Sequence, residues 1–135
     1  MSGKTIAAGT VLEEEIIPGL SAAEIAHYST VSGDSNPVHT DHMLAKEMGL
    51  DSVPVQGMFV MALVNNYLES WQHYNMTRKL HIRFVAPALA DRNIQIAARV
   101  MVVSEQTQTA ILRILLHQAD KLVALGEADV VFAST

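Results

Sequence analysis

Apolar and polar positions along the chain change their period near residue 74. Upstream, the pattern is helical with short interruptions. Val11 to Ile17 is β-branched at both ends and predicts a strand, stopped by Pro18 and Gly19. Ser21 opens a helix, with Glu24 three residues on completing a capping-box pattern. Ala22, Ala23, Ile25, Ala26, Tyr28 and Val31 give that helix one apolar side, and Ser32-Gly33 ends it. Residues 33–40 form a loop, because Pro37 pushes Asn36 out of helical geometry. Asp41 can cap a short second helix, roughly 42–48, closed by Gly49. A connector containing Pro54 leads to GMFVMALVNNYLESW. There Met58, Met61, Ala62, Leu63, Leu68 and Trp71 fall on helical spacings, and Phe59 and Val60 add bulk elsewhere. A helix apolar on most sides predicts a buried, central one.

After Tyr74 the period is two. Leu80, Ile82 and Phe84 alternate with Lys79, His81 and Arg83, a half-buried strand that Pro87 ends. Asp91-Arg92-Asn93 makes a turn into a second long strand carrying Ile94, Ile96, Ala98, Val100 and Val102. Glu105-Gln106 and Ala119-Asp120-Lys121 turn the chain into a third strand, about 107–117, and a fourth, about 122–132. Helices first and strands last define an α+β class: a strongly curved antiparallel sheet around one apolar helix. Met101, Val103, Leu112, Ile114 and Leu116 give the other sheet face apolar surface, which predicts a partner, a homodimer.

The 135 residues suffice for one domain, 1–135, with a sizeable core. Half the residues are apolar, which excludes a disordered chain. Nine basic against fourteen acidic residues give a net charge of −5, with no basic run to offer nucleic acid. The absence of cysteine removes disulfides, thiolate catalysis and thiolate metal sites, and fits a reducing cytoplasm. The opening MSGKTIAAGT lacks a signal peptide's apolar core, and no run of roughly eighteen apolar residues predicts a membrane span.

Candidate chemistry gathers in Tyr28 to Asp41, YSTVSGDSNPVHTD. Asp34 and His39 can converge there on one small molecule, such as a water, the minimum apparatus for moving a proton at a carbon. An arbitrary Asp/His pair is more often a turn residue and a packed histidine. His39, Asp41 and His42 lie close enough to suggest metal ligands, but capping already accounts for Asp41.

The whole stretch resembles the hydratase signature of the MaoC-like family, the (R)-specific enoyl-CoA hydratases. The matching elements are Tyr28, Ser32-Gly33-Asp34, Ser35, Asn36-Pro37, Val38, His39, Thr40 and Asp41. The resemblance implies a hot-dog fold, with an overhanging segment carrying the catalytic loop. It implies hydration of trans-2-enoyl thioesters to (R)-3-hydroxyacyl thioesters, reversibly and without cofactor or metal. Asp34 and His39 would activate one water as a coupled pair. The Gly57 N–H, at the start of the central helix, would hold the enolate oxygen. Asn36, Gln56, Met58, Met61 and Arg83 are the expected substrate contacts, the methionines along an acyl tunnel and Arg83 toward the phosphates of CoA. The chain departs from the family in carrying Gln56-Gly57 where members usually have His-Gly, and Ala90-Asp91 where a Gly-Asp turn is common. A dehydratase working on acyl carrier protein and a non-catalytic acyl-CoA-binding module are the alternatives.

Overall fold

The last three long strands of the chain pair in sequence order in the structure, a computed structural model that describes residues 6–133. The predicted features of residues 1–5, including the first half of the opening decapeptide, lie outside the described residues. In chain order the elements are β1 (Glu15–Ile17), α1 (Ala22–Ser32), a 3-10 turn (Pro37–His39), α2 (His42–Glu47) and α3 (Gly57–Glu69). Then follow β2 (Tyr74–Phe84), β3 (Ile94–Ser104), β4 (Thr109–Gln118) and β5 (Lys121–Phe132). The five strands form one antiparallel sheet in the order β1-β3-β4-β5-β2. This is the expected α+β hot-dog arrangement, with α3 packed against the sheet.

Local signals built the expected pieces. Ser21 Oγ accepts from the Glu24 N–H at 3.1 Å and Glu24 Oε1 accepts from the Ser21 N–H at 3.0 Å, so the capping box is closed. Gly33 adopts the left-handed conformation, φ 80°, that ends α1. Asp41 Oδ1 accepts from the N–H groups of Met43 and Leu44 and starts α2. Between β4 and β5, Ala119 and Asp120 both have positive φ, 49° and 64°, as a two-residue turn requires to match the twist of its strands.

Three expectations need correction. The first strand covers only Glu15–Ile17, and Val11 contributes an isolated bridge to Arg99. The turn expected at Asp91-Arg92-Asn93 is present, with Asp91 at φ 63°, and the strands on its two sides are not neighbours: β2 pairs with β5 and β3 lies between β4 and β1. The chain crosses from one edge of the sheet toward the other there. Leu112, Ile114 and Leu116 are fully buried in the core rather than on the outer face. They sit opposite Val100, Ala98 and Ile96, on the same face of the sheet. A bulge between Val100 and Val102 shifts the alternation, so Val103 lies partly buried against the core and Val102 points out, 57% exposed. Finally, α3 is not buried all round. Val60, Val64, Tyr67 and Leu68 form its buried stripe, whereas Met58 is 65% exposed and Ala62 is exposed.

The concave face of β5 carries small residues, Ala124, Gly126 and Ala128, opposite Leu116, Ile114 and Leu112. Their size lets the sheet curl. A Cβ on Gly126 would overlap the His81 carbonyl oxygen of β2 and stand 2.7 Å from Ile82 Cδ1. Tyr67 ties α3 to the N-terminal segment, its hydroxyl donating to the Glu13 carbonyl at 2.8 Å. Burial, reinforced by the negative charge of Glu15, pushes this phenol up to about 12.

Candidate active site

The loop after α1 is folded by its own side chains. Asp34 Oδ1 accepts from the Asn36 N–H at 3.1 Å, and Asn36 Oδ1 accepts from the Val38 N–H at 3.2 Å. Each closes a turn two residues long, which is what short Asx side chains favour. Asn36 also stays extended before Pro37, whose carbonyl then receives the N–H groups of Thr40 and Asp41. Asn36 therefore shapes the loop. With Oδ1 engaged, Asp34 directs Oδ2 toward His39 Nε2 at 3.6 Å.

His39 is held from its other side. Its Nδ1 lies 2.8 Å from the Pro54 carbonyl oxygen, which can only accept, so Nδ1 carries the proton. In the neutral ring Nε2 is then a bare acceptor facing a carboxylate oxygen. At 3.6 Å the two do not bond directly, but the gap suits a bridging water. Two acceptors bind the two hydrogens of such a water and leave its oxygen lone pairs free. The His39 side chain is only 13% exposed and that of Asp34 38%, so the pair opens to solvent on the carboxylate side.

Pro54 belongs to a segment pinned against the 88–90 stretch. The Val55 N–H donates to the Ala88 carbonyl at 2.7 Å, and the Ala90 N–H to the Val53 carbonyl at 2.9 Å. Three residues after Pro54, α3 begins at Gly57. No side chain caps this helix end. Its first-turn N–H groups therefore carry the positive end of the helix dipole without an internal partner. Beside Gly57 opens a cleft of about 420 Å³ lined by Val55, Phe84, Val85, Ala86, Pro87 and Ala88. A side chain at position 57 would stand 3.4 Å from the Phe84 ring, so glycine leaves the cleft open to a ligand's approach.

The structure thus brings Asp34, His39 and the segment leading to Gly57 together. The remaining expected contacts are distributed differently. Met58 is exposed in the first turn of α3 and Met61 is half-buried on it. Gln56 is buried, 1% exposed, with its amide turned into α1. Arg83 lies on the outer face of the sheet, in a cleft of about 630 Å³ shared with Lys79, His81 and Arg113. It does not line the Gly57 cleft. Among the described residues, no three His, Asp or Glu side chains gather to hold a metal. What the sequence did not announce is the role of Pro54, which acts through a backbone carbonyl, and the tie of Gln56 to Ser29. Tyr28, from the apolar side of α1, stacks on Phe59 with ring centroids 4.6 Å apart and joins α1 to α3.

Against known proteins, the MaoC like domain family matches residues 4–115. The 3-hydroxyacyl-thioester dehydratase X of Mycobacterium tuberculosis is 34% identical over 70 residues, 52% of this chain and 24% of that protein. The chain therefore spans about a quarter of that relative's length. A solved MaoC-like dehydratase superimposes with a TM-score of 0.85 at 26% identity, covering 95% of this chain and 41% of the other. The (R)-hydratase from A. caviae involved in PHA biosynthesis gives 0.84 at 21% identity, over 96% of this chain and 99% of that one. At that identity the likeness speaks for the fold alone.

Proposed function

The chain belongs to the MaoC-like hydratase and dehydratase family, and on that footing we propose that it hydrates trans-2-enoyl thioesters to (R)-3-hydroxyacyl thioesters and runs the reverse dehydration. The observation that carries this reading is the pair of converging acceptors, Asp34 Oδ2 and His39 Nε2, 3.6 Å apart. A water between them gives a hydrogen to each. As its oxygen bonds to C3, one of the pair takes the released proton and the C2–C3 π electrons move toward the thioester carbonyl. The Gly57 N–H meets the oxygen where that charge develops; a donor so placed is worth roughly 3–4 kcal/mol in such reactions. The pair then returns a proton to C2, so one water has been added across the double bond. No cofactor is required for this sequence, and no metal.

Met58 offers apolar surface to the acyl chain beside Gly57, and CoA is the proposed carrier. A homodimer is the proposed assembly, now on a different basis from the one the sequence offered. The outer edge of β2 has no strand partner among the described residues, and exposed Met76, Phe84, Val85 and Met58 flank it. No helix among the described residues is long and apolar enough to cross a membrane. The test is loss of enone absorbance on mixing the protein with crotonyl-CoA, with medium-chain enoyl-CoA and with carrier-protein-linked enoyl substrates. Turnover with the CoA thioesters is expected. Turnover only on the carrier protein would favour the dehydratase alternative, and none on any substrate would leave a non-catalytic binding module.

A further inference from the structure

The side chain of Gln56 carries a second inference, which rests on the proposed reaction. Gln56 precedes Gly57, is almost wholly buried, and donates from Nε2 to the Ile25 carbonyl and to Ser29 Oγ, both at 2.8 Å. A carbonyl oxygen only accepts, so the amide orientation is fixed, and Oε1 is left buried with no donor. The side chain's hydrogen bonds are therefore both donations. One donation ends on Ile25 in the first turn of α1 and the other on Ser29, where its last turn begins. Ser29 in turn accepts, at its own carbonyl, the N–H of Gly33 at 3.1 Å, and Gly33 precedes Asp34. The amide therefore closes a short circuit: Gly57, Gln56, Ser29, Gly33, Asp34.

We propose that Gln56 is a positioning residue, not a substrate contact, and that it sets the Gly57 N–H at a fixed distance from the Asp34–His39 pair. The attacking water and the oxyanion donor lie on two different elements, α1's loop and α3. His39 bonded to Pro54 and Tyr28 stacked on Phe59 join these elements on either side, and the Gln56 amide is the buried tie between them. Without it the substrate still binds, while its two ends no longer meet both groups at once; misplacement of about 1 Å costs on the order of a hundredfold in rate.

Gln56→Met keeps the length and removes both donors. It is expected to lower kcat by about tenfold to a hundredfold with KM within about twofold. It is also expected to speed amide exchange together in 33–38 and 60–62, where α3's first hydrogen bond, Val60 N–H to the Gln56 carbonyl, begins. Gln56→His, whose ring N–H has similar reach, restores most of kcat. Loss of thermal stability with kcat unchanged would reduce Gln56 to a packing residue. A raised KM with kcat unchanged would make it a substrate contact, and failure of the histidine variant to recover kcat would remove the donor argument; each overturns the proposal. Should Gln56→Met not fold, Ser29→Ala removes one of the two acceptors and is read in the same way. If the unaltered protein turns over no enoyl thioester, the functional reading fails instead. Amide exchange then still decides the tie, and unchanged protection in either segment overturns it.

Discussion

The loop at 33–41 and the meander of β3, β4 and β5 are held together by opposite means. No residue of the loop is buried, and its shape comes from side chains bonding to backbone two or three residues away. In the meander, Leu112, Ile114 and Leu116 are fully buried, and long ladders of backbone hydrogen bonds fix the register. The loop contributes little to the hydrophobic free energy of folding and is free to carry polar groups. The meander carries the stability and leaves α3 with a fixed first turn. Between them stands α3, which α1 and its loop reach, directly or through the segment before it, at the His39–Pro54 bond, the Gln56 amide and the Tyr28–Phe59 stack.

That division can be broken from either side. The largest effect is expected for His39→Ala, which should lower kcat/KM by roughly a thousandfold in the hydration assay, as loss of a general acid–base does. Its cost in urea unfolding should be about 1 kcal/mol, the net worth of the bond to Pro54. Gly126→Ala should do the reverse. Its Cβ has no room beside His81 and Ile82, so stability should drop by about 3 kcal/mol, while kcat of the folded fraction stays near that of the unaltered chain. Gly57→Ala stands at the junction. The new methyl faces the Phe84 ring at 3.4 Å and crowds the thioester's approach, so kcat should fall about tenfold with little change in the unfolding midpoint.

The smallest effect concerns Tyr67, which ties α3 to the N-terminal segment. Its folded pKa of about 12 exceeds the usual 10.0, so the folded state holds the proton longer than the unfolded one. The stability it contributes is fully present below pH 10 and is lost as pH rises toward 12. Tyr67→Phe should flatten that part of the alkaline stability profile and cost about 1 kcal/mol at neutral pH, both measured by denaturant titration.

What could be seen in the sequence divides along the same line. The capping box, Asp41 and the Asp34–Asn36–Pro37 turn are local, and spacing alone revealed them. So did the turns of the meander, because two-residue periods end at polar residues that tolerate positive φ. The rest depends on contacts far apart in the chain. The bulge after Val100 moved Val102 and Val103 off simple alternation, and Leu112, Ile114 and Leu116 were expected outside because β4 also carries apolar residues, Ile111 and Leu115, on its other face. The edge-to-edge crossing between β2 and β3 leaves no mark in residues 85–93, of which Asp91-Arg92-Asn93 read as a turn without showing which strands it joins. The one-sided burial of α3 was hidden because Met58 and Ala62 are as apolar as the buried Val60 and Val64. Gln56 finds its partners 27 and 31 residues away, and the tautomer of His39 rests on a backbone carbonyl that any residue would supply.

Asp34→Asn separates the chemistry of the carboxylate from the shape of the loop, because asparagine retains the Oδ1 that accepts from the Asn36 N–H. The measurement is loss of crotonyl-CoA absorbance by this variant and the unaltered protein, at equal folded concentration confirmed by thermal unfolding. The account predicts steady hydration by the unaltered chain, under about 1% of that rate in the variant, and the same unfolding midpoint. Comparable rates in the two proteins, or no hydration by either, would contradict it.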